Sequence, residues 1–252
     1  MDEQAIEQAA RLLVAARRTG QWLAALPDEA KPADPAQAHA VQDATVAALG
    51  ERVAGWKVSL KDGAILRGVI LGSRLLASPA VLAAKLVPPL GIEAEIAFRF
   101  EHALPPREHD YTREEIAAAA IAVAGIEIVA SRYQSYQQTP FLDRLADCMS
   151  NGAFVVGTAR PDWLSFDLPD LEATLTINGQ VVARRRGGHP AGDPILPAIA
   201  LVNALRTTSG VAAGQVITTG TYLDLWFARP TDQVLVTFTG FGSAEILLDG
   251  EP

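Results

Sequence analysis

Cysteine is nearly absent from this 252-residue chain, where Cys148 stands alone. One thiol cannot close an internal disulfide or supply the thiolate set of a structural zinc or iron–sulfur site, and it fits a reducing compartment. Positive charge is also short. Twenty-one Lys and Arg face 29 Asp and Glu, a formal charge of −8, whereas a nucleic-acid surface gathers basic residues against phosphate. The expected partner is therefore a small molecule. The local exception, Arg184-Arg185-Arg186, reads as a solvated turn. No apolar stretch reaches membrane-spanning length, and the opening MDEQAIEQAARLL has acids where a signal peptide has a basic region before an apolar run. A cytoplasmic protein with no membrane partner is expected. His39, His102, His109 and His189 form no ligand-like pair, which disfavours zinc. Also missing are G-x-G-x-x-G after a strand, the P-loop, the G-x-S-x-G elbow and H-E-x-x-H. Their absence sets aside nucleotide, serine-hydrolase and zinc-protease chemistry.

Residues 3–19 place Ile6, Ala9, Ala10, Leu13 and Ala16 at helical spacing, and Gly20 can close that helix in the left-handed conformation. Asp34-Pro35 opens a second helix with an N-cap and a first-turn proline, and Gly50 can end it. This helical front, residues 1–52, precedes a mainly β unit, residues 53–252. In that unit VAGWKVSL, IEAEIAFRF, IEIVAS, AFVVG, QVITTG, QVLVTF and AEILLD read as strands bounded by turn residues. Thr112 and Glu115 form a capping box ahead of a helical run, IAAAAIAVA. Asn178-Gly179 supplies a hairpin turn, and Asp193-Pro194 caps a helix over ILPAIALVNAL. There is no fixed-period repeat and no low-complexity tract. The expected fold class is α+β, with helices first and then a mixed sheet interrupted by two helices.

Alternation along IEAEIAFRF puts Ile92, Ala94, Ile96, Phe98 and Phe100 on one face and Glu93, Glu95, Ala97 and Arg99 on the other. Two same-face carboxylates about 7 Å apart call for a cation or open water, and for that pair alone a wet edge strand is the plainer reading. Glu127 shifts the balance. It lies in the short apolar strand of AGIEIVAS, where a lone carboxylate is expensive to bury. Three carboxylates make a hard oxygen set that suits Mg²⁺ or Mn²⁺. Lys57, inside VAGWKVSL, has two readings: an ammonium desolvated to a lower pKa for proton transfer, or a strand lysine reaching water by its stem. DRLADCMSNGAFVVG offers Asp147, Ser150 and Asn151, either as a polar loop feeding a site or as ordinary turn residues. TTGTY at 218–222 offers hydroxyls and backbone N–H groups, or a strand end. Cys148 has no nearby His base and is expected to pack.

Taken in order, GWKVSL, GIEAEIAF, GIEIVASRY, DCMSNGAFVVG, the NG hairpin, GDPILPAIALVNAL and VITTGTY resemble the hydratase/decarboxylase branch of the fumarylacetoacetate hydrolase superfamily. With RRTG and the AxAxQDA helix, the resemblance spans nearly the whole chain. It implies a helical N-terminal portion packed on a β-rich mixed-sheet roll. It also implies that Glu93, Glu95 and Glu127 bind the metal, that Lys57 does acid–base work, and that Asp147, Ser150 and Thr221 line the pocket. The implied activity is that of a divalent-metal-dependent lyase with Mg²⁺ or Mn²⁺, hydrating a 2-hydroxy-2,4-dienoate to a 4-hydroxy-2-oxo acid. A decarboxylase of a 2-oxo-enedioate, or a non-catalytic partner subunit of such an enzyme, is the alternative. Family members self-associate, and the apolar final strands suggest a homo-oligomer here, with a related enzyme as a possible partner. The chain departs from the family at Ser59, where glycine is usual, at Ala130, where aspartate is usual, and in KDGAILRGVILG after Lys57.

Overall fold

Helix α1 (Glu3–Thr19) begins where the Asp2 carboxylate accepts the Ala5 N–H at 2.9 Å, and it ends at Gly20, whose φ of 71° is left-handed. Helix α2 (Pro35–Leu49) repeats the pattern with Asp34 accepting from Gln37 N–H and Gly50 at φ 68°. Both helices follow the sequence expectation because their start and stop signals are local. The computed structural model describes residues 1–61 and 63–250.

The β-rich part then runs β1 (Val53–Lys61), β2 (Ala64–Leu71), β3 (Leu75–Ala77), β4 (Ala80–Ala83), β5 (Gly91–Phe100), α3 (Arg113–Ala119) and β6 (Ala120–Val129). It continues with α4 (Phe141–Ala146), β7 (Asn151–Arg160), β8 (Glu172–Ile177), β9 (Gln180–Arg186) and α5 (Ile195–Leu205). It closes with β10 (Val216–Thr221), β11 (Trp226–Phe227), β12 (Gln233–Phe238) and β13 (Gly242–Asp249). One sheet has the order β2-β1-β10-β5-β6-β7-β3, with β11 pairing onto β5, and the second has the order β4-β13-β12-β8-β9. Pairing is antiparallel except for β1 with β10, β3 with β7 and β4 with β13. The architecture is α+β with mixed sheets, as expected.

The main core lies between the sheets. Ile92, Ile96, Phe98 and Phe100 of β5 join Val234, Val236, Ile246 and Leu248 of β12 and β13 in one buried cluster. A second cluster ties Leu13 of α1 and Val41 of α2 to Leu66 of β2 and Leu145 of α4.

Four expectations need correction. The wet-edge reading of β5 fails because β10 and β6 flank it on both sides. The helix after Thr112 keeps its capping box but stops at Ala119, and the rest of the alanine-rich run is strand β6. Alanine is short enough for either state. The β-branched Ile121 and Val123 take extended backbone here, paired to β5 on one side, while β7 pairs along the other. Arg184–Arg186 are solvated but lie at the end of edge strand β9, where Arg185 pairs with Asp224 and Arg186 with Asp170. Charge on such an edge discourages further strand addition. Finally, most apolar residues of β12 and β13, Val234, Val236, Phe238, Ala244, Ile246 and Leu248, face the chain's own core, which leaves only Leu247 well exposed and weakens the final strands as an argument for self-association.

Candidate metal centre and its surroundings

Register brings the three glutamates together. In the antiparallel β5–β6 pair, Glu93 faces Glu127 and Glu95 faces Gly125, and cross-strand partners hold their Cβ atoms about 4.5–5.5 Å apart. One carboxylate oxygen from each of Glu93, Glu95 and Glu127 lies within 4.8 Å of the other two. Gly125 is required beside them, because a Cβ there would collide with the Phe154 ring.

Lys57 arrives from β1, two strands away. It pairs with Thr218 of β10, which pairs in turn with Ala97 of β5. Its side chain puts Nζ 2.6 Å from Glu127 Oε1 and 3.8 Å from Glu93 Oε2. Gly68 on β2 makes room for this packing, since a Cβ there would strike both the Cys148 carbonyl and the Lys57 side chain.

The surroundings fix the carboxylates unequally. Glu95 accepts a hydrogen bond from the Thr218 hydroxyl and another from Gly220 N–H at 3.1 Å. Glu127 Oε1 accepts from the Asn151 amide at 3.2 Å, but its Oε2 is buried without a hydrogen-bond partner among the described residues. Glu127 is fully buried, whereas Glu93 and Lys57 keep 19% and 12% of their side-chain surface open. The centre is thus reached from the Glu93 and Lys57 side.

Burial raises the Glu127 carboxyl to about 8, with Lys57 pulling down and Glu95 and Glu93 adding to the rise. Glu95 is raised too, first by burial and then by Glu93. Burial alone would lower Lys57, yet Glu127, Glu93 and Glu95 outweigh it and hold the ammonium above its ordinary value. This goes against the first of the two sequence readings of Lys57, an ammonium lowered by burial, since the neighbours that decide the sign are 36 to 70 residues away along the chain. One ammonium facing three carboxyl groups leaves the cluster short of positive charge. The all-oxygen donors, the orphaned Glu127 Oε2 and their spacing fit a divalent hard cation.

The structure separates the remaining candidates. Thr221 lies beside the glutamates, pairing with Glu95, but its hydroxyl is occupied by Ala94 N–H and C=O at 3.2 Å and by Leu223 N–H at 3.1 Å. Ser150 is buried with a hydroxyl that has no partner among the described residues. Asp147 has its carboxylate taken up by arginines: Arg132 Nε donates at 2.7 Å to both oxygens, and Arg17 Nη2 donates at 2.9 Å. Cys148 is buried, and burial pushes its thiol up, which suits packing rather than nucleophilic chemistry.

Sequence reasoning missed the roles of Arg17 and Arg132; it offered the hydroxyls and N–H groups of TTGTY, of which Thr218 and Gly220 meet Glu95, and it named Asn151 without a role. Asp147–Asn151 is one device. Cys148, Met149 and Ser150 all have φ between 51° and 58°, a left-handed turn whose far end presents Asn151 to Glu127. The fixed end is Asp147. Asp147→Ala would leave two buried guanidinium groups without their shared carboxylate, so it is expected to cost about 3–5 kcal/mol. An unchanged urea midpoint would count against that role.

An α+β roll whose inner strands gather three carboxyl groups and an ammonium is the framework of an enzyme rather than of a binding module. The family model described as fumarylacetoacetate (FAA) hydrolase C-terminal matches residues 69–247, and the chain belongs to that family. The 2-keto-4-pentenoate hydratase 1 of Dechloromonas aromatica (strain RCB) is 31% identical over 256 residues, 96% of each chain. The 2-keto-4-pentenoate hydratase of Burkholderia vietnamiensis (strain G4 / LMG 22486) is 30% identical over 258 residues, 96% of this chain and 97% of that one. With such relatives over nearly its full length, the chain is an enzyme of the hydratase kind, a hydro-lyase. The solved 4-oxalocrotonate decarboxylase from Pseudomonas putida G7, complexed with magnesium and adipate, has the same fold, with a TM-score of 0.81 over 98% of both chains at 20% identity.

Proposed function

We propose that this enzyme hydrates a small unsaturated 2-oxo acid, converting a 2-hydroxy-2,4-dienoate to a 4-hydroxy-2-oxo acid. In this reading Glu93, Glu95 and Glu127 hold Mg²⁺ or Mn²⁺, and Lys57 moves the protons. The observation that carries it is the placement of Lys57 Nζ 2.6 Å from Glu127 within a half-enclosed carboxylate triad. A divalent cation bound there supplies Lewis acidity toward the substrate's carboxylate and adjacent oxygen. Lys57 supplies a proton source whose partly open side chain faces the same entrance as Glu93. Thr218 and Gly220 hold Glu95 in place, and Asn151 does the same for Glu127. Ser150 and Thr221 stand as candidate pocket contacts. Asp147, with its oxygens engaged by arginine, is proposed to act through the turn it anchors.

The test is a turnover screen of unsaturated 2-oxo acids with added Mg²⁺ or Mn²⁺, following both ultraviolet absorbance and CO₂ release. Loss of dienoate absorbance without CO₂ supports hydration. CO₂ release would favour decarboxylation of a 2-oxo-enedioate, the activity named for the solved structure of the same fold. Absence of all turnover would point instead to a non-catalytic partner subunit.

Two broader elements belong to the same proposal. Among the described residues no helix is long and apolar enough to cross a membrane, and with a lone buried cysteine we place the reaction in the cytoplasm. Self-association belongs to the same proposal, with exposed Leu60, Phe141, Trp226 and Phe227 as apolar side chains that a second copy would cover. Light scattering at micromolar concentration should therefore give a multiple of 26.7 kDa, and a mass at the monomer value would refute it.

A further inference from the structure

Four arginines, Arg17, Arg18, Arg74 and Arg132, line a single cavity of about 150 Å³ between α1, the end of β2 and the chain after β6. In a chain of net charge −8 this is an unusual concentration of cations. Two acids lie against them. Asp147 is saturated by Arg17 and Arg132, and Glu51 on the cavity wall accepts from Ser73 N–H at 3.2 Å. Four guanidinium groups against two carboxylates leave an excess of two positive charges.

The donors are not all used within the protein. Arg17 Nε is buried with no hydrogen-bond partner among the described residues, although the same guanidinium reaches Asp147 through Nη2. Arg132 has only 4% of its side chain exposed and still contributes to the cavity wall. Arg74 and Arg132 are both held below their ordinary arginine values, first by burial and then by the charge of Arg17, so the cations press on one another. Like charges kept this close and partly dry are relieved by an anion set between them. Trp22 and leucine side chains complete the wall and limit the space to something small. None of the lining residues belongs to the carboxylate triad.

We infer that this cavity binds a small dianionic oxyanion, held by bidentate guanidinium contacts, at a site separate from the metal centre. Two sources share that chemistry: inorganic phosphate and a short dicarboxylic acid.

Calorimetric titration of the full chain tests it. EDTA is kept present so that no carboxylate is drawn to a metal at the triad, and chloride maintains constant ionic strength. Phosphate and succinate are the two probes. Saturable one-to-one binding of at least one is expected, and the tighter of the two identifies the source. Arg74→Gln should weaken binding by about tenfold or more, the loss expected for one charge-assisted contact. Arg184→Gln, on the exposed end of β9, should leave binding unchanged. Arg74 makes no hydrogen bond to the described residues, so its replacement should leave the thermal midpoint near that of the parent. Failure of both anions to saturate would overturn the inference. So would equal affinity in Arg74→Gln, or an equal loss in Arg184→Gln.

Discussion

Replacing Lys57 with methionine is expected to lower turnover by about 10²–10⁴-fold, the usual contribution of general acid–base catalysis, while Mn²⁺ still binds. Methionine keeps the length and the apolar stem but removes the proton-bearing nitrogen. The geometry adds a second effect. Lys57 is the ammonium that touches Glu127 and Glu93, and deleting one partner of a buried ion pair costs about 3–5 kcal/mol. The metal-free variant should therefore unfold at lower urea than the metal-free parent. Mn²⁺ should restore much of the difference, because a ligand that binds only the folded state stabilises it by mass action. Near-normal turnover would remove Lys57 from the chemistry. Equal urea midpoints in EDTA would remove it from the charge balance.

Glu127→Ala should fail differently. It deletes a carboxylate facing Glu93 and Lys57, and with it the orphaned Oε2. Mn²⁺ affinity and turnover should fall together. Asn151→Ala sets the scale. Asn151 only orients Glu127 through its amide, and loss of an outer partner typically costs about 10–100-fold in metal affinity. Glu127→Ala should exceed that loss in a direct titration. If Glu127→Ala bound Mn²⁺ as tightly as the parent, the triad would not be the metal centre. The two residues should thus be separable, since one variant is expected to keep the metal and lose the proton while the other is expected to lose the metal.

Much of this centre could be read from local pattern. Strand periodicity placed Glu93 and Glu95 on one face, and the cost of burying Glu127, the third acid, without a partner called for a cation. Helix caps at Asp34 and Thr112 and the Asn178-Gly179 turn were legible because each signal lies within four residues. Other features needed the fold. The alanine run after Glu115 carries no preference strong enough to mark the boundary at Ala119, and pairing with β5 and β7 decides it. The charge state of Lys57 depends on strands that meet it only in space. The Arg17–Asp147 contact spans 130 residues of chain, and nothing in RRTG or DRLADC announces it. Ser59 and Ala130 show the same limit. Ser59 sits half-buried on β1, and Ala130 is buried with its N–H donating to Ser150 C=O. Their positions are plain, but neither accounts for the departure from the family pattern.

The left-handed turn at Cys148–Ser150 gives the N-terminal helix a share in the site. Such backbone costs roughly 1–2 kcal/mol per non-glycine residue, so it persists only while something holds its ends. One end is clamped at Asp147 by Arg132 and by Arg17 of α1, and the other delivers Asn151 to Glu127. A load path therefore runs from the first helix, through a single carboxylate and three wound residues, to a buried acid of the centre. Domain grafting would cut that path. A chimera taking residues 1–52 from a relative would keep Glu93, Glu95, Glu127 and Lys57, yet it would exchange the helix that carries Arg17. Because α1 and α2 also share a buried cluster with β2 and α4, we expect such an exchange to need matching changes around Asp147 and on β2.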